Sequence, residues 1–117
     1  MISEQGVNSN KILIDPTMAG LGYGLDYAYS IVEKIKLAGL NGDLMLNMPI
    51  ITFAGKEAWK TKEAKSDDFD KNWGSTKDRA IMWECMTASS ILSAGSNIIV
   101  MWHPEAISAF SKYVSKV

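Results

Sequence analysis

A chain of 117 residues has room for one domain's core and no more. Hydrophobic residues make up 47% and charged residues 21%, which excludes a disordered polyampholyte. Twelve basic residues stand against thirteen acidic ones, for a net charge of −1. The basic residues are scattered, so nothing forms the stripe that a nucleic-acid partner needs.

Cys85 is the one cysteine and His103 the one histidine. A disulfide framework is excluded, as are a cysteine-ligated iron–sulfur cluster held by this chain alone and a structural zinc site. Residues 1–10 read as a polar lead-in with Glu4 ahead of any apolar run, unlike a signal peptide. No apolar stretch approaches the ~20 residues that span a bilayer, so a cytoplasmic chain with no membrane partner is expected.

In chain order, Ile12-Leu13-Ile14 ended by Asp15-Pro16 reads as a short strand buried on both faces. Gly20, Gly22 and Gly24 then alternate through a turn. A helix fits 25–40, with Ala28, Ile31, Val32, Ile35 and Ala38 on one stripe and Asp26 in its first turn. Residues 49–55, Pro-Ile-Ile-Thr-Phe-Ala-Gly, form the second strand. Residues 56–74 read as a polar connection, longer than the usual ~2–6 residues of a strand-to-helix loop. Ser75 and Asp78 are spaced as a loose capping box for a helix to Ala94, with Ile81, Cys85, Ala88 and Leu92 as its buried stripe and Gly95 as its stop. Residues 97–103 are the third strand. Pro104 and Glu105 open a last helix whose apolar face is Ala106, Ile107, Phe110 and Val114.

Strands that alternate with helices imply a parallel sheet with right-handed crossovers. A closed β/α barrel needs ~250 residues, so the expectation is a partial one: three consecutive β/α units of a TIM-type barrel, with residues 11–117 as its C-terminal part. In that fold ligands bind where strands end, which selects 15–24, 55–63 and 102–105.

Each residue there has two readings. The glycine run either lets a ligand approach the backbone or makes a tight turn; it is not a nucleotide fingerprint. Asp15 either meets a ligand or caps its own turn. Trp59 either lies against a macrocycle or partner, or tucks the long connection onto the rim. His103 either ligates or moves a proton, or caps the last helix. Trp83 reads as core or inter-helix packing and Cys85 as a small hydrophobe. No nucleophile–base pair or paired-carboxylate site is visible, so no catalytic residue is assigned.

Several strings carry a resemblance. Ile14-Asp15-Pro16 leading to Gly20-Leu21-Gly22-Tyr23-Gly24-Leu25-Asp26-Tyr27, then Gly55-Lys56-Glu57-Ala58-Trp59 through Ala64, then Arg79 through Glu84, then Ala94-Gly95 through Trp102-His103-Pro104-Glu105-Ala106, occur in one order. Together they resemble the small (delta) subunit of the corrinoid iron–sulfur protein of acetyl-CoA decarbonylase/synthase. The resemblance covers nearly the whole chain from Lys11, and the N-terminal portion of that family's barrel has no counterpart. It implies a non-catalytic subunit that pairs with a large (gamma) subunit, the carrier of the iron–sulfur cluster and of a corrinoid-binding domain. The corrinoid (cobamide) would sit between the two. It would carry a methyl group between a methylated pterin, served by a pterin methyltransferase, and acetyl-CoA synthase, in the acetyl-CoA (Wood–Ljungdahl) pathway. On that reading Asp15, Thr17, Gly22, Tyr23, Gly55, Glu57, Trp59 and His103 face the cofactor. The rivals are a pterin-binding methyltransferase, with Asp15 on the pterin ring, and a non-functional barrel fragment.

Overall fold

In the computed structural model of the protein, residues 5–116 are described. The first four residues of the polar lead-in lie outside them; a 3-10 turn at Ser9–Lys11 closes the rest of it. Three helices form where the apolar spacing and the caps agree. Helix α1 is Leu25–Leu40, with Gly24 as N-cap at φ 117°. Helix α4, Thr76–Ala94, starts where the Ser75 hydroxyl accepts the Asp78 N–H at 3.1 Å and stops at Gly95, φ 122°. Helix α5, Pro104–Ser115, has proline at its first position, where a missing N–H costs nothing.

Between these lie β1, Ile51–Thr52, and β2, Ile98–Ile99, paired parallel with Ile51 opposite Ile98 and Thr52 opposite Ile99. Ile14 adds one isolated parallel bridge to Ile50, donating to Pro49 O and accepting from Ile51 N, both at 2.9 Å. The core is Leu25, Ala28 and Val32 of α1, Ile50 ahead of β1, and Ile91 and Ala94 of α4. Val32, Ile50 and Ile91 are wholly enclosed, and each such side chain contributes roughly 1.5–3 kcal/mol.

This corrects the partial-barrel expectation. The described residues form a small helix-rich domain with five α-helices, two strands of two residues each, and no barrel. Parallel sheets are ordinarily buried under cover on both faces. Here the outer runs meet solvent: Leu13 is 49% exposed and Ile98 41%. Pairing therefore survives only around Ile50–Thr52, which has neighbours on both edges. The shape agrees: the radius of gyration is 16.0 Å, against about 13 Å for a compact chain of this length.

The connection at 56–74 also departs from expectation. Helix α2 (Ala54–Ala58) begins inside the expected second strand and runs into the connection, and α3 (Lys62–Lys65) and a 3-10 turn at Lys71–Trp73 follow. Arg79 of α4 explains why the connection folds back. The guanidinium is buried, donates from Nε to Glu63 O at 2.6 Å and from Nη2 to Ser66 O, and lies 4.6 Å over the Phe69 ring. Finally, the buried face of α4 is Arg79, Ala80, Glu84, Thr87, Ala88, Ile91 and Ala94. Of the expected stripe only Ala88 is fully enclosed; Ile81, Cys85 and Leu92 are half-buried.

Candidate functional site

Glu84 of α4 has no exposed surface. A carboxylate so placed is costly unless its lone pairs are met. Its partners are all donors. The Trp59 indole Nε1–H reaches Oε1 at 2.5 Å, the Trp102 N–H reaches Oε2 at 2.8 Å, and the His103 N–H is shared between both oxygens at 3.2 and 3.3 Å. One helical residue thus ties the chain after β1 to the chain after β2.

The result is a stacked pair: the Trp59 and His103 rings lie 5.9 Å apart at 11°. Gly55 permits the approach, since a Cβ there would stand 2.6 Å from the Trp102 nitrogen. Its own N–H donates to Val100 O at 2.9 Å. His103 takes the capping role, with Nδ1 accepting the Glu105 N–H at 3.1 Å. In the neutral ring the proton therefore sits on Nε2.

Asp15, Thr17, Met18, Phe53, Lys56 and Glu57 line a cavity of about 400 Å³, which shares helix α2 with the stack: Lys56 and Glu57 belong to that helix and Trp59 is its C-cap. Asp15 Oδ1 accepts the Thr17 N–H at 2.9 Å, which closes a local turn. That turn holds Thr17 at φ 61°, a left-handed conformation that a β-branched residue adopts only under strain. Glu57 pairs with Lys60 at 3.3 Å in an exposed contact of little energetic weight.

Of the eight residues selected from sequence, Asp15, Thr17 and Glu57 share this cavity, Trp59 and His103 form the stack, and Gly55 packs on the Trp102 backbone. Tyr23 lines an adjoining groove that shares Thr17 and Met18. Its hydroxyl donates to Glu63 Oε2 at 3.0 Å and accepts the Lys62 N–H at 3.2 Å. Gly22, at φ 83°, lines a separate groove of about 620 Å³ with Leu25, Tyr29 and Ser90. Sequence reasoning passed over Glu84. The available signal was its register: it stands four residues from both Ala80 and Ala88 and seven from Ile91, on the stripe that faces inward.

Next to Glu84, the half-buried Cys85 thiol donates to Ala106 O at 3.3 Å. Burial, and secondarily the Glu84 charge, push its pKa above the ordinary thiol value. Among the described residues no three of His, Cys, Asp and Glu are grouped to hold a metal ion. No helix there is long and apolar enough to cross a membrane.

Comparison with known proteins gives the chain's family. The profile of the family described as CO dehydrogenase/acetyl-CoA synthase delta subunit matches residues 1–101. The chain belongs to that family. It is 35% identical over 117 residues to the acetyl-CoA decarbonylase/synthase complex subunit delta 1 of Methanosarcina thermophila, covering 96% of this chain and 26% of that protein. The complex subunit delta of Archaeoglobus fulgidus is 38% identical over 107 residues, with coverages of 88% and 24%. That of Methanocaldococcus jannaschii is 28% identical over 109 residues, with coverages of 89% and 25%. This member of the delta-subunit family thus spans about a quarter of the length of its relatives.

Proposed function

We propose that this chain supplies part of the surface against which a corrinoid is held in the acetyl-CoA decarbonylase/synthase complex. On this reading it works in the cytoplasm, beside the large subunit of the corrinoid iron–sulfur protein, and supports methyl transfer between a methylated pterin and acetyl-CoA synthase. The observation that carries the reading is that helix α2 supplies Lys56 and Glu57 to the cavity shared with Asp15 and ends at Trp59 of the Trp59–His103 stack, in a chain of the delta-subunit family. A corrin macrocycle with its amide arms is far larger than about 400 Å³, so these residues suit one side of it and a second protein must cover the other. When bound, the corrinoid supplies the cobalt that carries the methyl group. The chain's own residues do simpler work. The stacked rings offer a flat surface that excludes water. Asp15 and Glu57 accept hydrogen bonds from amide N–H groups, and Lys56 donates to amide carbonyls.

The test is corrinoid titration of the co-purified complex carrying Trp59→Ala or Tyr23→Ala, followed by cobalt absorbance. Weaker binding with a shifted cobalt spectrum is expected. Unchanged affinity and spectrum in both variants would remove these residues from the site.

A second reading rests on the cavity itself, whose size falls within the ~300–1,000 Å³ range of small-molecule sites. It would admit a pterin ring with Asp15 as hydrogen-bond acceptor, as in a pterin-binding methyltransferase. Saturable binding of methyltetrahydrofolate without any corrinoid partner would favour it.

A further inference from the structure

Two charges are buried on α4, Arg79 and Glu84, and neither joins an ion pair among the described residues. Arg79 is accounted for by the segment it pins. Glu84 is not accounted for by packing. If α4 needed only to cover the chain after β1, an apolar side chain of similar volume would do so without the desolvation cost of a carboxylate. What a carboxylate adds is direction. Two oxygens fixed on a helix, each with in-plane lone pairs, dictate where three donors must lie.

Those donors belong to two segments that are adjacent in space but separated in sequence. The indole bond to Oε1 sets the plane and rotation of Trp59. The two backbone bonds fix the chain at Trp102 and His103, and with it the start of α5. The His103 ring is fixed a second time, through Nδ1 on the Glu105 N–H. The near-parallel stack at 11° is where these constraints meet.

We infer that Glu84 is the positioning residue of this site, setting the plane that Trp59 and His103 present to a bound group. As a role in corrinoid binding, the inference rests on the reading of the stack proposed above. Glutamine in its place keeps the volume but offers one acceptor atom and an NH₂ donor. At least one of the three converging donors would then face another donor.

The experiment uses the full chain and the co-purified complex, with hydroxocobalamin as the probe. In ¹⁵N-Trp-labelled chain the Trp59 indole N–H, assigned by its loss in Trp59→Phe, should resonate well downfield. Glu84→Gln should move it upfield, and the complex should bind hydroxocobalamin about tenfold more weakly, as expected when hydrogen bonds to a charged group are lost. An unmoved indole resonance overturns the inference. So does wild-type affinity in a folded Glu84→Gln complex whose Trp59→Ala counterpart is weakened. If Glu84→Gln fails to fold, Trp59→Phe decides, because it keeps an aromatic ring in the stack while removing the N–H that bonds the carboxylate. It should lose affinity by about the same factor, and wild-type affinity there overturns the inference. If the wild-type complex binds no hydroxocobalamin, the proposed function fails. The positioning role is then decided by the indole resonance alone.

Discussion

Gly55→Ala puts the packing behind the stack to a direct test. The added methyl would stand 2.6 Å from the Trp102 nitrogen and 3.0 Å from both the Met101 carbonyl carbon and its Cα. Relief to ordinary contact needs a movement of roughly 1 Å. The Trp102 backbone is poorly placed to give it, because its N–H is held by Glu84 at 2.8 Å. Overpacking of this kind costs about 1–3 kcal/mol. Alanine is the better helix former, which returns up to about 1 kcal/mol, and less in a helix as short as α2. The net expectation is a loss of about 1–2 kcal/mol, or a Tm lower by roughly 4–8 °C at this chain length. Urea unfolding followed by circular dichroism measures the first and a thermal scan the second. Gly22→Ala is the matched control: no atom stands within 4 Å of its Cβ, and only its φ of 83° is penalised. Gly22→Ala should leave the Trp59 indole resonance in place, whereas Gly55→Ala should move it. A Gly55→Ala chain as stable as wild type would refute the claim that the approach of α2 to the Trp102 backbone requires glycine at 55.

Two further outcomes are expected. Thr17→Gly removes a β-branched residue from φ 61°, where strain of about 1–2 kcal/mol outweighs the added freedom of glycine in the unfolded chain. The urea midpoint should rise, and a fall would show that Thr17 is not strained. For Cys85 the fold raises the thiol pKa, so its contribution to stability is fully present below the unfolded value, about 8.5, and is lost as pH rises through the folded one. Iodoacetamide should label native Cys85 more slowly at pH 8 than the urea-unfolded chain, and Cys85→Ala should flatten the alkaline loss of stability. Equal labelling rates would contradict the shift.

The sequence made some features plain and concealed others for physical reasons. The three long helices were legible because local chemistry sets their ends: Ser75 on Asp78, Gly95 at positive φ, and Pro104 behind a capping His103. The strands were legible as apolar runs but not in extent. Run length does not reveal whether a partner stands on each edge, and Leu13 and Ile98 face solvent. The polar stretch at 56–74 looked like loop because its folding depends on Arg79, a residue outside it. The site was half visible. The rule that ligands gather at strand ends selected Asp15, Glu57, Trp59 and His103, of which Asp15 and Glu57 share a cavity and Trp59 and His103 a stack. It could not find Glu84, because a charge on an amphipathic helix is ordinarily read as facing water.

Arg79 and Glu84 stand five residues apart, which on an α-helix is about 7.5 Å along the axis and about 140° around it. They reach different parts of the chain, one clasping the peptide carbonyls at 63 and 66, the other the indole of Trp59 and the amides at 102 and 103. Helix α4 is therefore a spindle that holds the 56–74 connection at two points and ties one of them to the chain after β2. Neither point can peel away without exposing a charge that has no other partner. Residues 63–66 and the Trp59–His103 pair thus open and close with α4 as one cooperative unit.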